Sequence, residues 1–187
     1  MTFEELKTSC LNCRDCELAK TRTNVVFGYG NEKSKIILIG EGPGQVEDET
    51  GKPFVGRSGK LLDLMLDAID LSREKNVYIA NTVKCRPPGN RDPLPNETET
   101  CKKYLDKQME LIAPKIVICL GRISAFRMIK PDFRVTVEHG QWFERDGVFY
   151  MGTFHPAALL RNVNQKPMAF DDFMNVKAKI EELGIEI

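Results

Sequence analysis

Apolar residues along this chain follow two periods. Ile36-Ile37-Leu38-Ile39 and the run inside Lys115–Leu120 are unbroken and rich in β-branched residues, as in strands buried on both faces. Asn76–Ala80 reads as another strand, with Asn81 at its C-terminal end. Elsewhere the period lengthens. Leu61, Leu62, Met65, Leu66 and Ile69 form a core stripe on a helix from Gly59 to Ile69, with Ser58 as its cap. Thr2 and Glu5 fit a capping box for a short helix to about Ser9, and Asn96 with Glu99 starts a helix to about Ile112. Further helices are predicted near Arg122–Ile129 and over about Met168–Leu183, after Pro167. Asn24–Gly28, Arg134–Val137, Gln141–Glu144 and Val148–Met151 read as short strands, with turns at His139-Gly140 and Asp146-Gly147. Strands alternating with helices predict one α/β domain over residues 1–187, three layers α/β/α with a mainly parallel central sheet.

The strand at Ile36–Ile39 breaks at Gly40-Glu41-Gly42-Pro43-Gly44. Three glycines and a proline in five positions continue neither strand nor helix, but they let bare backbone N–H groups approach a ligand. In open α/β sheets ligands bind past the carboxyl ends of central strands. Pro53-Phe54-Val55-Gly56 follows, an aromatic between a proline and a glycine in a polar loop, and so a candidate stacking platform. Asn81 at a strand end and His155 in a loop after the last strand converge on the same edge. Each has an ordinary reading too: Asn81 as a turn cap, His155 as a satisfied structural histidine, Phe54 as core. The glycine loop lacks the G-x-G-x-x-G spacing of a dinucleotide site.

Composition narrows the class. With 42% hydrophobic and 29% charged residues in 187, the chain is long enough for a core without disulfides. No run approaches the roughly 18 apolar residues of a membrane span. The N-terminus Met1-Thr2-Phe3-Glu4-Glu5 has no signal-peptide character, which predicts a cytoplasmic protein. The formal net charge is +0, so any nucleic-acid contact must come from a local basic patch. Six cysteines in such a protein argue for ligands over disulfides. Cys10, Cys13 and Cys16 form a C-x2-C-x2-C run, while Cys85 and Cys101 lie far apart and far downstream. Thiolates drawn from distant segments suit an iron–sulfur cluster at least as well as zinc. Spacing alone does not choose between Cys10/Cys13 and Cys13/Cys16. Cys119, inside an apolar run, reads as a plain core cysteine.

Taken together, Gly40-Glu-Gly-Pro-Gly44, Gly51-Lys-Pro-Phe-Val-Gly-Arg57, Asn81-x-x-Lys-Cys-Arg-Pro-Pro88 and His155-Pro-Ala-Ala-Leu-Leu-Arg161 resemble the family-four, iron–sulfur-containing uracil-DNA glycosylases. The resemblance covers about residues 10–180. It implies a four-stranded parallel sheet between helices and removal of uracil from DNA as the first step of base excision repair. It implies a 4Fe–4S cluster on Cys13, Cys16, Cys85 and Cys101, with Cys10 and Cys119 spare. It further implies that Phe54 stacks on uracil, Asn81 reads its edge, and His155 donates to O2 with help from the backbone around Gly40, Glu41 and Gly42. Glu47 is the candidate wall against thymine. Leu159 or Leu160 is the candidate wedge into the base stack, and Arg161 the residue beside it. Lys84, Arg86, Arg91 and Arg57 are candidate phosphate contacts. The better-known family-one enzymes carry a water-orienting aspartate where Gly42 stands here, so Glu41 either positions water or holds the loop.

The expected partner is uracil-containing DNA, single- or double-stranded, met by a monomer with no membrane. A sliding clamp or a polymerase is a further candidate partner, with no motif in the sequence to support it. Two other classes fit parts of the sequence: an iron–sulfur redox protein and a binder of free nucleotides, neither with glycosylase activity. The cysteines permit the first but leave Phe54, Asn81 and His155 without a purpose. A relative that stays covalently attached to DNA is disfavoured, because Pro87–Pro95 contains no histidine.

Overall fold

The unbroken apolar run forms strand β2 (Ile36–Gly40) near the middle of a sheet in a computed structural model that describes residues 1–187. Ile36 and Leu38 face one side, and Ile37 and Ile39 the other. Both sets are fully buried, which is why this strand shows no polar alternation. β3 (Tyr78–Asn81), β4 (Ile116–Leu120) and β6 (Val148–Thr153) run parallel to it in the order β3-β2-β4-β6. Two short strands, β1 (Tyr29–Gly30) and β5 (Trp142–Arg145), close the edges antiparallel. The four parallel strands expected are therefore the centre of a mixed six-stranded sheet.

Helices cover both faces. On one side α3 (Arg57–Asp67) and α8 (Lys166–Glu182) bring Leu62, Leu66, Phe173, Val176 and Ile180 onto Ile36, Leu38, Ile116 and Ile118. On the other, α4 (Pro95–Ile112) and α5 (Arg122–Met128) bring Leu105, Ile112 and Ala125 onto Ile37, Ile39, Val117 and Cys119. Cys119 is core, as its apolar neighbours indicated. The N-terminal helix α1 (Phe3–Leu11) packs beside α4 around a separate cluster that includes the cysteines. Its capping box forms as read: Glu5 N donates to Thr2 Oγ1, and Thr2 N to Glu5 Oε2. No helix is long and apolar enough to cross a membrane.

Several local expectations change. Asn24–Gly28 is not a strand: Val25 and Phe27 are buried against the cysteine region, Val26 is buried between them, and pairing begins only at Tyr29. Arg134–Val137 is replaced by a helical turn, α6 (Val135–Glu138), because Glu138 reaches back to accept from Arg134 N. The helix expected from Gly59 begins two residues earlier, at Arg57, with Gly56 in place of Ser58 as its cap. The helix assigned to Asn96 begins at Pro95, and Glu97 rather than Glu99 accepts from the Leu94 N–H. A further short helix, α2 (Gln45–Thr50), which no apolar period in the sequence predicts, stands directly after the glycine loop.

Candidate active site

A cavity of about 370 Å³ opens at the carboxyl edge of the sheet. β2 ends at Gly40 and delivers Glu41 to Gly44; β3 ends at Asn81; the chain after β6 delivers His155. Phe54 comes from the loop between α2 and α3, and Arg161 from the end of α7 (Pro156–Arg161). Phe54, Asn81, His155, Glu41, Gly42, Glu47 and Arg161 all line this one space. The ring of Phe54 lies 5.5 Å from that of His155, tilted by 34°. Gly40 makes the closeness possible: an added Cβ would strike the Asn81 carboxamide and come within 2.5 Å of the Phe54 ring.

Phe54 is held in a left-handed backbone conformation, φ 50°, unusual for an aromatic residue. The clamp comes from two charged groups. Arg73 donates from Nη1 to Pro53 O (2.7 Å) and from Nη2 to Phe54 O (2.8 Å), while its Nε meets Asp63. Glu47 Oε1 accepts from Val55 N (3.0 Å) and Gly56 N (2.9 Å). Gly59 must also be bare, because a Cβ there would overlap the Phe54 carbonyl. Arg73 was missed in the sequence. It sits in an ordinary polar stretch, and only its burial reveals what it holds.

Asn81 is 2% exposed, and its Oδ1 has no hydrogen-bond partner. A buried unpaired acceptor costs free energy unless a ligand supplies the donor. His155 is enclosed on all sides but the cavity. Burial, reinforced by Arg161 and opposed by Glu47, pushes its pKa down to about 4. Its Nδ1 accepts from Ala157 N (3.1 Å), so in the neutral ring the proton sits on Nε2. Glu41 shows the opposite shift: burial, with Asp92 nearby and against Arg122, raises its pKa to about 7. At Gly42 an added Cβ would come within 2.9 Å of Val83 Cγ2, so a larger residue there requires Val83 to move. The proline loop after Cys85 forms the opposite wall with Asn90, Arg91 and Asp92. It is pinned by Arg91 to Glu97 (2.7 Å) and by Asp92 to Arg122 (2.7 Å). The other histidine, His139, is structural: it binds Asp172 (2.8 Å), which also accepts from Thr153 at the end of β6.

Two candidate DNA-facing residues change place. Leu159 is fully buried with Phe154 and Ala169, so of the two leucines only Leu160 has exposed surface. Lys84 is also buried and cannot reach a phosphate; its Nζ donates to Asn81 O (3.0 Å) and Gln108 Oε1 (2.6 Å).

A second cavity, on the far side of Lys84, is lined by Cys10, Cys13, Cys16, Cys85 and Cys101. Arg22 Nη1 donates to Cys85 Sγ and Lys84 N to Cys101 Sγ, both at 3.3 Å. Burial raises Cys10 to about 12 and Cys85 to about 11, and lifts Cys101 too, so these are protonated thiols until a metal draws them into thiolates. No three His, Cys, Asp or Glu side chains are grouped for a single metal ion. Sulfur donors spread around a common apolar cavity, with N–H groups already aimed at two of them, fit a larger iron–sulfur group. The cavity contains Cys10 as well as the other four, so lining alone does not pick the ligand set.

Fold and cavity define a class: an α/β protein with a largely polar cavity at the carboxyl edge of a sheet covered by helices on both faces. The profile of the uracil DNA glycosylase superfamily matches residues 27–177. The type-4 uracil-DNA glycosylase of Archaeoglobus fulgidus is 41% identical over 97% of this chain and 93% of its own. That of Sulfurisphaera tokodaii is 40% identical over 98% and 86%, and that of Thermotoga maritima 40% identical over 92% and 91%. The chain belongs to the uracil DNA glycosylase superfamily and, within it, to the type-4 uracil-DNA glycosylases.

Proposed function

We propose that this chain removes uracil from DNA by hydrolysing the bond between uracil N1 and the sugar C1′, with the residues of the 370 Å³ cavity as its active site. The observation that carries this reading is the buried, unpartnered Asn81 Oδ1 beside Phe54 and the neutral His155. Uracil in a duplex is out of reach, so the nucleotide is flipped into the cavity. Phe54 stacks on its face. The Asn81 oxygen accepts from N3–H and its amide nitrogen donates to O4. Cytosine offers neither: its N3 is unprotonated and an amino group replaces O4. Buried mismatches of this kind discriminate by about 10⁴-fold or more. Thymine differs by a methyl group and is excluded sterically. Glu47, fixed by Val55 and Gly56 at the cavity wall, is the group we assign to that exclusion.

Cleavage leaves the bond's electron pair on uracil N1, delocalised onto O2 and O4, and positive charge on the sugar. His155 Nε2–H donates to O2, an electrophile rather than a general acid, because its depressed pKa keeps it neutral. The backbone N–H groups of Glu41 and Gly42 assist. Water then adds to C1′, and its proton passes to the Glu41 carboxylate. The uracil anion takes a proton from solvent on release. Leu160 fills the gap left in the stack, and Arg161, exposed at the end of α7, meets the backbone beside it. Arg57 and Arg86 complete the phosphate contacts, while Arg91 is held by Glu97.

Cys13, Cys16, Cys85 and Cys101 are assigned as ligands of a 4Fe–4S cluster, whose chemistry here is a cross-link between the N-terminal segment, the proline loop and α4. The test of the whole reading is a uracil-containing oligonucleotide incubated with the protein and then with alkali. Strand breakage at uracil and none at cytosine or thymine is expected, and Asn81→Ala is expected to abolish the preference. An intact strand with wild-type protein ends the reading. A brown protein absorbing near 400 nm with about four irons per chain is expected for the cluster.

A further inference from the structure

We propose that Lys84 is a positioning residue for Asn81, fixing from behind the strand end that aims the base-reading carboxamide; this rests on the reading of Asn81 given above. Nothing in the chain orients Asn81 Oδ1 directly, because that atom has no partner. Its aim is therefore set by the backbone. On the cavity side the backbone is tied to the glycine loop: Thr82 N donates to Gly40 O (3.0 Å), Val83 N to Glu41 O (3.2 Å), and Thr82 Oγ1 to Glu41 O (2.5 Å). On the opposite side the Asn81 carbonyl accepts from Lys84 Nζ at 3.0 Å. That ammonium is anchored by Gln108 Oε1 at 2.6 Å. Gln108, fully buried on α4, is fixed in turn by donating to Phe27 O (2.9 Å) and to the Tyr78 hydroxyl (3.3 Å).

The chemistry of Lys84 argues for a positional role over plain packing. It is 1% exposed and has no carboxylate within ion-pair distance. Burying an ammonium with only the cysteines of the second cavity as possible counter-charges is unfavourable, and a Met or Leu would fill the same space without that penalty. What the apolar replacement cannot do is bridge two buried oxygens. The residue also stands between the two cavities. Its side chain braces Asn81, its backbone N–H donates to Cys101 Sγ (3.3 Å), and the next residue is Cys85. The base-reading group and the cysteine cavity thus share one rigid element.

A double-mutant cycle tests this. Lys84→Met is expected to lose about tenfold in kcat/KM on uracil DNA, mostly in kcat, because a misplaced reading group lowers the population of reactive geometries. In an Asn81→Ala background the same change is expected to cost less than about twofold. Equal losses in both backgrounds, or no loss in Lys84→Met, overturn the proposal. Rates are expressed per iron-loaded molecule, from the iron-to-protein ratio. A readout independent of catalysis is amide hydrogen exchange. Thr82 and Val83 are expected to exchange about tenfold faster in Lys84→Met while Ile79 is unchanged. Unaltered exchange at Thr82 and Val83 refutes the brace, whereas wild-type protein without excision refutes the functional reading alone. If Lys84→Met does not fold, Gln108→Leu removes the second anchor, and the same coupling to Asn81 is required of it.

Discussion

At the scale of single residues, two titrating groups face one cavity with pKa values pushed in opposite directions. His155 is held down to about 4 by its enclosure, and Glu41 is raised to about 7 by burial beside Asp92. Their separation sets a pH signature. Below about pH 7 Glu41 is protonated and cannot accept the proton of water, so kcat should fall on the acid side with a midpoint near 7. His155 stays neutral throughout that range and contributes no step at its ordinary value of 6.5. Glu41→Gln should remove the acid limb; a limb near 6.5 that survives this change would contradict the assignment. His155→Ala should lower kcat by about 10²–10³ with little change in KM, read in single-turnover excision. Stability carries the same imprint. Because the folded state depresses the His155 pKa, the stability gained by keeping it neutral is present above about 6.5 and disappears as pH falls through about 4. Residue types made Phe54, Asn81 and His155 legible in the sequence, since an aromatic in a polar loop, an asparagine at a strand end and a histidine after a strand stand out. Arg73 and Asn90 do not. Lysine is ordinarily a surface residue, so residue type points Lys84 at a phosphate, whereas the fold buries it.

At the scale of elements, the glycine loop, α2 and the Phe54 loop act as one unit clamped by Glu47 and Arg73. The strained φ of Phe54 persists because these clamps over-determine it. Arg73→Met leaves the carbonyls of Pro53 and Phe54 without their buried donors. The expected cost is about 3 kcal/mol in urea unfolding, together with weaker excision as the stacking ring loses its fixed pose. Full activity in a protein destabilised to that degree would show the clamp to be structural only. The main strands and long helices were legible because burial on two faces and the helical stripe each leave a period in the sequence. The short elements were not. Val135–Glu138 turned helical through one side-chain contact from Glu138, and α2 is six residues of mostly polar sequence capped by a glycine. Choices of that size turn on a single side-chain contact or cap, and summed propensity barely registers them.

At the scale of the molecule, the cysteine cavity joins α1 and the loop after it to the proline loop and α4, and that loop walls the active site. Arg22 adds to the joint, bonding Cys85 Sγ and Cys13 O, as does the ion pair of Lys103 with Asp15. Removing iron with an oxidant and chelator should lower the melting temperature and loosen the backbone so that trypsin cleaves at Arg14, Lys20 and Arg22 before any site in the sheet. Equal protection with and without iron would deny the cluster its cross-linking role. If the proposed arginine contacts carry DNA binding on this chain of zero net charge, affinity should weaken steeply as salt rises from 50 to 200 mM. The chain order fixed the α/β class, the parallel centre and the edge at which the cavity forms, because burial periodicity and glycine breaks are written locally. The resemblance of four motifs fixed the chemistry to expect. What the motifs left open was settled by folding: which leucine of the pair stays exposed, which charges are interior, and which groups hold the Phe54 and Asn81 loops in place. Those outcomes depend on contacts between segments tens of residues apart, and no local period in a sequence records such a contact.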